Sequence, residues 1–357
     1  MYGLLFHFVL RHFDPEAAHQ LAKRALRMVR ATAPGRVLLA RWAGQPDPSL
    51  RVQALGLSFP SPLGVAAGLD KDGGWCDDLI ALGFGFVEVG TVTARGQAGN
   101  PRPRIERSVA DRALINRMGF PNPGAAAVAA RLATRPSGAV IGANLGKSRA
   151  VSIADAATDY RASVRALAPV ADYLALNVSS PNTPGLRELQ SPERLRELVS
   201  EVRSELTALG RRLPVLVKLA PDLPDEQIDA IAALAVELGL DGIIAVNTRA
   251  VDGGGLSGAP LAARAEEVLR RLHAATGGRL TLVSVGGVES AQDVWDRLRA
   301  GATLVQAYTG FVYGGPRWPS RVNRELARRV KQAGWPSVQE MLDSGASARA
   351  ARAPLAS

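Results

Sequence analysis

Eight short apolar runs recur along the middle of the chain, and each is followed by a segment with helical periodicity. The runs are continuous rather than alternating, which is typical of strands that are buried on both faces of a parallel sheet. The segments 193–209 and 225–238 have the pattern of helices that connect such strands. The predicted strands cover residues 63–67, 86–89, 139–144, 173–178, 215–219, 242–247, 280–285 and 303–308.

Eight strand–helix units predict an α/β fold, the closed (β/α)8 or TIM barrel. A doubly wound open sheet has the same local pattern and stays open as the alternative. A barrel commonly occupies about 250 residues, so the chain has room for one such domain, predicted at 43–335, with a smaller segment at each end.

Residues 1–42 have the pattern of two amphipathic helices. Asp14, Pro15 and Glu16 predict the start of the second helix, with an N-cap, a first-turn proline and an acidic first turn. Two interpretations remain open: a helical hairpin packed on the barrel, or an interfacial segment whose basic residues face lipid phosphates. The basic residues around the second helix are Lys23, Arg24, Arg27 and Arg30. The apolar residues of the two helices are Leu4, Leu5, Phe8, Val9, Ala18, Leu21, Ala25, Met28 and Val29.

Composition and charge narrow the range of functions. With 47% hydrophobic and 21% charged residues among 357, the chain is typical of a globular protein. The single cysteine, Cys76, and four scattered histidines argue against a disulfide scaffold and against a metal site. The apolar runs are shorter than the roughly 18 residues of a transmembrane helix, and a signal peptide fits poorly. We expect a cytoplasmic protein without metal, with a disordered extension at 336–357.

The net charge of +10 and the pI near 10.4 raise nucleic acid or an anionic membrane surface as partners. About half of this excess lies within residues 1–42, which hold seven lysines and arginines against two acidic residues. The concentration of charge in the amphipathic segment favours the membrane surface, and we expect no nucleic-acid partner.

Polar residues follow or end nearly every predicted strand. Because the carboxyl ends of barrel strands meet on one face, we expect these side chains to converge where barrel enzymes place their active sites. Glycines at 286–287 and Gly310, together with Thr309, expose backbone N–H groups after the last two strands, where many barrels bind a phosphate. The polar strand-end residues are Lys71, Thr91, Asn144, Asn177, Lys218, Asn247, Thr248, Tyr308 and Thr309.

The loop at 177–185 is dense in serine, asparagine and proline. Asn116, Asn177, Asn182 and Asn247 would form an amide cage suited to a small planar ligand with carbonyl and N–H groups. A serine of this loop could move a proton, but the chain has no Gly-x-Ser-x-Gly motif, so a hydrolase triad gains no support.

Five ordered motifs resemble the dihydroorotate dehydrogenase family: AGLDKDG at 67–73, GNPRPR at 99–104, INRMGF at 115–120, NVSSPNT at 177–183 and GLSG at 255–258. With its amphipathic N-terminal segment, the chain is similar to the quinone-dependent class 2 of that family over residues 1–335. The resemblance implies oxidation of dihydroorotate to orotate in pyrimidine biosynthesis, with FMN as cofactor and a membrane quinone as electron acceptor.

The resemblance also implies roles for individual residues. Ser180 is similar to the class 2 base, where class 1 enzymes use cysteine, and His19 and Arg107 match quinone-site positions. Peripheral association with the cytoplasmic face of the cell membrane and a monomeric state are expected. The implied FMN contacts are Ala67, Gly68, Lys71, Thr91, Asn144, Asn177, Lys218, Val246, Gly258, Gly287, Tyr308 and Thr309. The implied substrate contacts are Lys71, Asn116, Arg117, Met118, Gly119, Phe120, Asn177, Asn182, Asn247 and Thr248.

Three features depart from the family pattern: Val246 stands where threonine is usual, the segment 248–255 is short, and Arg249 replaces a small polar residue. Two alternatives also remain open. A tRNA dihydrouridine synthase, another FMN barrel, would suit the basic pI and would bind RNA in a salt-sensitive way. A non-enzymatic membrane scaffold would rest on the N-terminal segment alone.

Overall fold

The computed structural model describes residues 2–44, 46–135 and 138–350. Its centre is a closed barrel of eight parallel strands, each hydrogen-bonded to the next along the chain. The eighth strand pairs with the first, which closes the barrel, confirms the TIM-barrel prediction and excludes the open sheet. In chain order, the barrel strands are Leu63–Val65, Phe86–Val92, Val140–Leu145, Tyr173–Asn177, Val215–Leu219, Gly242–Ala245, Thr281–Val285 and Leu304–Ala307.

Helices connect the barrel strands, and their starts follow from local sequence. Pro192–Ala208 begins after Ser191, whose side chain accepts a hydrogen bond from the Arg194 N–H, and proline occupies the first turn. Ala291–Arg299 begins with a capping box between Ser290 and Asp293. The other helices after residue 44 are Cys76–Ala81, Ala125–Leu132, Ala156–Leu167, Asp225–Glu237, Ala262–Thr276, Thr309–Gly314, Trp318–Gln332 and Val338–Ala350.

Short strands in the connecting loops form sheets outside the barrel, which the sequence pattern did not predict. A four-stranded antiparallel sheet joins segments that follow the second and sixth barrel strands, with Asn116 opposite Gly255. It therefore brings two distant segments of the chain to the carboxyl end of the barrel. These outer strands are Ile105–Ser108, Ala113–Asn116, Arg249–Val251 and Gly254–Gly258, with the pairs Val52–Ala54 and Leu57–Phe59, and Arg95–Gln97 and Asn122–Gly124.

Three N-terminal helices, not two, pack beside the barrel: α1 Tyr2–Phe8, α2 Pro15–Ala31 and α3 Ala33–Ala43. The predicted second helix is divided because the Thr32 side chain caps a new helix by accepting from Gly35 N. Asp14 caps α2 as expected, and its carboxylate accepts from Ala17 N at 2.8 Å.

Three of the four lysines and arginines of α2 contact the barrel domain, which favours the packed-hairpin interpretation for this side of the helix over the one in which they face lipid phosphates. Lys23 Nζ lies 2.5 Å from Asp72 Oδ1, and Arg30 Nε lies 2.5 Å from Asp78 Oδ1. The Arg27 guanidinium donates to the Gly74 carbonyl at 2.6 Å. The reason is that the loop and helix after the first barrel strand carry a cluster of aspartates, Asp70, Asp72, Asp77 and Asp78, which attracts this side of α2.

The opposite side of the N-terminal helices is apolar and exposed. Almost all exposed large hydrophobic side chains among the described residues lie in this segment, and Val109 is the exception. No helix in the described part of the chain has the length and hydropathy needed to cross a bilayer. The exposed apolar residues are Leu4, Leu5, Phe8, Val9, Phe13, Leu21, Met28, Val29, Val37, Leu38 and Trp42.

The C-terminal extension is helical over Val338–Ala350, within the segment for which we expected disorder. Val338 and Met341 are buried against the barrel domain, and the Gln339 side chain accepts from Gln53 N at 2.8 Å. These contacts stabilise the helix. It was not predicted because the segment is rich in alanine and serine. Residues 351–357 of the same expectation lie outside the described residues.

Candidate active site

A pocket lined by both polar and apolar residues, here called the mouth pocket, opens at the carboxyl ends of the barrel strands and is bordered by the four-stranded outer sheet. Among the described residues, its lining includes two lysines, Lys71 and Lys218, and no carboxylate or imidazole. The pocket therefore favours an anionic ligand. The predicted site residues that line it are Ala67, Gly68, Lys71, Thr91, Asn116, Met118, Gly119, Phe120, Asn177, Ser180, Asn182, Lys218, Val246, Asn247, Thr248, Gly258, Gly287, Tyr308 and Thr309.

Two of the predicted FMN and substrate contacts do not line the mouth pocket. Asn144 is fully buried beneath it and joins Thr91 to the barrel interior. Arg117 turns away, because its Nε donates to the Pro103 carbonyl and its NH1 donates to Gly253. The Arg117 guanidinium thus ties the short segment 248–255 to the neighbouring loop instead of reaching a ligand.

A chain of buried hydrogen bonds runs from the mouth pocket to Glu88 in the barrel interior. Asn177 Nδ2 donates to Thr91 Oγ1 at 2.8 Å, and Thr91 Oγ1 donates to Asn144 Oδ1 at 2.6 Å. Asn144 Nδ2 in turn donates to Glu88 Oε1 at 2.8 Å. Each of these polar groups has a partner, so the network fixes the orientation of the two amides.

Glu88 is the main site residue that sequence reasoning missed. Its carboxylate accepts from Tyr173 OH at 3.1 Å and from Gln306 Nε2 at 2.8 Å, and it lies 3.9 Å from Lys218 Nζ. Burial lowers the pKa of Lys218, and the Glu88 carboxylate opposes that change. The sequence feature that could have revealed Glu88 is a carboxylate within a mostly apolar strand, Phe86–Val92, whose residues are all buried.

The four asparagines form two hydrogen-bonded pairs in the mouth pocket. Asn182 Nδ2 donates to the backbone and side-chain oxygens of Asn116, at 3.0 and 3.2 Å. Asn247 Nδ2 donates to Asn177 Oδ1 at 3.2 Å and to Ser179 Oγ at 2.9 Å. The amide cage predicted from sequence is therefore assembled from segments at or after the second, fourth and sixth barrel strands, with Ser179 as an additional member.

Ser180 and Lys71 lie in the same mouth pocket. The Ser180 hydroxyl is nearly buried and accepts from Asn182 N at 3.2 Å. Lys71 Nζ donates to the Gly68 carbonyl, and burial lowers the pKa of Lys71 to about 8. Cys76, the only thiol, is buried outside this lining, and burial raises its pKa far above the usual range.

Glycine backbone forms the side of the mouth pocket near the last two barrel strands. Gly287 has a φ of 72°, and a Cβ there would lie 2.4 Å from Ala262 Cα. A Cβ on Gly310 would lie 2.2 Å from the Val288 carbonyl oxygen. Since the first N–H groups of the helix Thr309–Gly314 have no intrahelical acceptor, this side offers backbone donors to an anion.

The departures from the family pattern have clear structural positions. Val246 is buried in the pocket lining, and its backbone N–H donates to Val285 O at 3.0 Å. Arg249 is exposed on a strand that pairs with Gly254–Gly258, so the short segment closes as a tight hairpin. The Val246 N–H is thus bonded within the barrel, and its side chain brings no hydroxyl to the pocket.

A second cavity, here called the apolar cavity, lies between the three N-terminal helices and the barrel and has a volume of about 450 Å³. His19 and Arg107, the two quinone-site candidates, both line it. Burial lowers the pKa of His19 to about 3, so its imidazole is neutral and packs edge to face on Trp75 at 5.0 Å. Arg107 NH1 donates to the carbonyls of Phe13 at 2.8 Å and Leu10 at 3.3 Å.

Comparison with known proteins adds independent evidence. The family model for dihydroorotate dehydrogenase matches residues 49–330. A "Dihydroorotate dehydrogenase (quinone)" from Thermobifida fusca is 52% identical, covering 95% of this chain and 95% of its own. The protein of the same name from Rhodococcus opacus is also 52% identical, covering 97% of this chain and 99% of its own.

Among solved structures, DHODH from Eimeria tenella in complex with ferulenol superposes with a TM-score of 0.83 at 36% identity, covering 94% of this chain and 97% of that chain. These matches decide against the tRNA-modifying enzyme and the scaffold. They confirm the resemblance seen in the motifs: the chain belongs to the dihydroorotate dehydrogenase family, in its quinone-dependent branch.

Proposed function

We propose that this chain oxidises dihydroorotate to orotate in pyrimidine biosynthesis, with FMN in the mouth pocket and a membrane quinone as the final electron acceptor. The observation that carries the proposal is the convergence of two lysines, four asparagines and Ser180 in one pocket without a carboxylate. Orotate is planar, anionic and rich in carbonyl and N–H groups, and this donor set complements each of those properties.

The residues of the mouth pocket fit FMN. Gly287 and Gly310 line the pocket at the start of the helix Thr309–Gly314, whose first N–H groups have no intrahelical acceptor and are available to a phosphate. Lys218 is a buried cation in the same lining. FMN would supply the two-electron chemistry, taking a hydride from carbon and passing electrons on to a quinone. The residues that would hold it are Ala67, Gly68, Lys71, Thr91, Asn177, Lys218, Val246, Gly258, Gly287, Tyr308 and Thr309, supported from beneath by Asn144.

The substrate would lie between Lys71 and the amide cage. Lys71 pairs with the carboxylate, while Asn116, Asn182 and Asn247 read the edge of the pyrimidine. Met118, Gly119, Phe120 and Thr248 complete this side of the lining. Ser180 lines the same pocket and would face the ring bound in this way.

Ser180 would take the proton from C5. A serine is an intrinsically weak base, and no carboxylate or imidazole lines the mouth pocket to activate it. Its hydroxyl proton must therefore pass to water or along the hydroxyl and amide groups beside it. We accordingly expect the rate of substrate oxidation to rise at alkaline pH.

The apolar cavity would receive the quinone. Its lining is almost wholly apolar, it includes the neutral His19 and the cationic Arg107, and it meets the mouth pocket at Ile105, Leu114 and Tyr308. The exposed apolar side of the N-terminal helices supports peripheral association with the cytoplasmic face of the membrane, where quinones are dissolved. We propose that the protein works there as a monomer.

The visible spectrum of the purified protein under anaerobic conditions tests this proposal. We expect yellow flavin bands that bleach on addition of dihydroorotate and return on addition of a short-chain quinone. Bands that persist with dihydroorotate would contradict the proposed substrate. A colourless protein would contradict the proposed cofactor.

A further inference from the structure

The helix α2 contacts two segments that border the mouth pocket through two polar anchors, in addition to forming part of the apolar cavity. The first anchor is Lys23, whose Nζ lies 2.5 Å from Asp72 Oδ1 and 3.7 Å from Asp70 Oδ1. These two aspartates flank Lys71 in the sequence. The Lys23 ammonium is therefore fixed against the turn that presents Lys71 to the pocket.

Asp70 organises this turn from inside the protein. Its side chain is fully buried, and its oxygens accept the backbone N–H groups of Asp72 at 3.4 Å, Gly74 at 3.2 Å and Trp75 at 2.8 Å. Burial raises the pKa of Asp70, and the nearby Lys23 ammonium opposes that rise. Removing Lys23 would leave the buried Asp70 carboxylate without this cation. The turn would then shift, or Asp70 would take up a proton.

Asp72 differs from Asp70 because it has a second cation. Arg131 NH1 lies 2.7 Å from Asp72 Oδ2, so Asp72 stays paired when Lys23 is lost. The effect of losing Lys23 thus falls on Asp70, whose backbone contacts define the shape of the turn around Lys71.

The second anchor is Glu16, at the start of α2. Its carboxylate forms a two-point ion pair with Arg104, with Nε to Oε2 at 3.0 Å and NH2 to Oε1 at 2.7 Å. Arg104 is nearly buried, and its NH1 donates to the carbonyls of Ala98 at 2.7 Å and Asn100 at 3.0 Å. Asn100 then holds the substrate segment, because its backbone N donates to Met118 O at 2.9 Å.

We propose that Lys23 and Glu16 are positioning residues of the substrate site. By fixing the turn that carries Lys71 and the segment 116–120, they make the affinity for orotate depend on the docking of α2. This inference rests on the proposed function, in which Lys71 and 116–120 contact the substrate. The N-terminal helices thus serve the substrate end of the mouth pocket as well as the apolar cavity.

The test is the dissociation constant of orotate, measured from the change that orotate causes in the flavin spectrum of the full-length, detergent-solubilised holoenzyme. For Lys23→Met we expect affinity to fall about tenfold, because a small displacement of Lys71 weakens a charge-assisted contact. The rate of flavin reduction at saturating dihydroorotate should stay within about twofold, because Ser180 is not moved. Lys23→Arg should restore most of the affinity.

Arg24→Met is the matched control, because it removes the same charge from the neighbouring position. Arg24 is exposed and has no ion pair within the described residues. We expect orotate affinity in this variant to equal that of the unmodified protein. A general effect of positive charge on orotate binding would instead lower affinity equally in the Lys23 and Arg24 variants, which would contradict the proposal.

Glu16→Gln tests the second anchor separately and keeps the proposal testable if Lys23→Met does not fold. We expect the same direction of change in orotate affinity and an unchanged flavin content. Normal orotate affinity in folded Lys23→Met or Glu16→Gln protein would overturn the inference. Failure of the proposed function is distinguishable, since dihydroorotate would then not bleach the flavin of the unmodified protein.

Discussion

The mouth pocket and the apolar cavity are neighbours that differ in polarity. The mouth pocket presents lysines, amides and hydroxyls among its apolar side chains, whereas the lining of the apolar cavity is almost entirely hydrocarbon. They meet at three residues, Ile105, Leu114 and Tyr308. Burial raises the pKa of Tyr308 to about 12, so the residue stays neutral between the two spaces at ordinary pH.

This difference matches the two molecules that a quinone-dependent dehydrogenase must handle. A charged, water-soluble donor needs paired polar groups, because an unpaired buried charge is costly. A lipid-soluble acceptor needs apolar surface and a route from the membrane. Because the two spaces share three residues among those described, the proposed donor and acceptor would lie apart, each beside the proposed flavin.

The largest effect should come from the base in the mouth pocket. Ser180→Ala should slow flavin reduction by dihydroorotate about 10²- to 10⁴-fold, the usual contribution of a positioned proton acceptor. Anaerobic stopped-flow spectroscopy measures this rate, with retained flavin content and orotate binding as the controls. Reoxidation of chemically reduced flavin by quinone should be unchanged. Normal reduction by dihydroorotate would remove Ser180 from this role.

Filling the apolar cavity should impair quinone use and spare flavin reduction by dihydroorotate. Ala18 lines this cavity, and Ala18→Trp should weaken quinone use about tenfold to hundredfold through overpacking, while flavin reduction stays normal. Steady-state assays with a range of quinone concentrations measure the change. Ala17→Trp is the control, because Ala17 is exposed and does not line the cavity. Equal losses in both variants would argue against a quinone site there.

Membrane binding should depend on the exposed apolar side of the N-terminal helices. Phe8 is 67% exposed, and Phe8→Glu should weaken sedimentation with anionic vesicles about tenfold, the value of burying one aromatic side chain. Arg27→Gln should change binding less than about twofold, because the Arg27 guanidinium contacts the Gly74 carbonyl. A larger loss in Arg27→Gln than in Phe8→Glu would show that basic charge dominates.

The smallest effect concerns pH. The pKa of Lys71 lies near 8, so its ammonium form prevails below pH 8 and is lost above it. Affinity for the orotate carboxylate should therefore be highest below pH 8 and fall about three- to tenfold by pH 9.5. Orotate titrations from pH 6.5 to 9.5 measure this fall. The affinity of Lys71→Arg for orotate should stay constant from pH 6.5 to 9.5. A fall in its affinity of similar size would show that another group titrates.

Much of the fold was predictable because buried parallel strands leave a strong local signal. All eight predicted strands overlap the observed ones, and the helix predicted at 225–238 is observed at Asp225–Glu237. The outer sheets were not predictable, because strands of three to five residues with polar and glycine-rich sequence have no clear periodicity. The division between α2 and α3 was missed although Thr32 and Pro34 carry the N-cap and first-turn proline signal of a new helix.

The site was predictable wherever a side chain occupies a strand end or a dense motif. Glu88 was missed because its role depends on Tyr173, Lys218 and Gln306, which only barrel closure brings to it. The interpretation that Lys23 faces lipid phosphates has a similar origin, since its partner Asp72 lies about 50 residues away in sequence. A helical pattern shows which side of a helix is basic, but it does not show which groups contact that side.

This docking changes what a truncation experiment can show. Deleting residues 1–42 removes the apolar cavity, but it also removes Lys23 and Glu16 and leaves the buried side chains of Asp70 and Arg104 without these charged partners. We therefore expect the truncated protein to lose both quinone use and orotate affinity. Point substitutions separate the two spaces more cleanly.

We propose that the mouth pocket and the apolar cavity serve separate half-reactions around one flavin. Double-mixing stopped-flow spectroscopy of the unmodified protein and Ala18→Trp separates these half-reactions, with dihydroorotate in the first mix and quinone in the second. We expect equal rates of bleaching in both proteins and slower return of the yellow bands in Ala18→Trp alone. Equal slowing of both phases, or normal reoxidation in the variant, would contradict it.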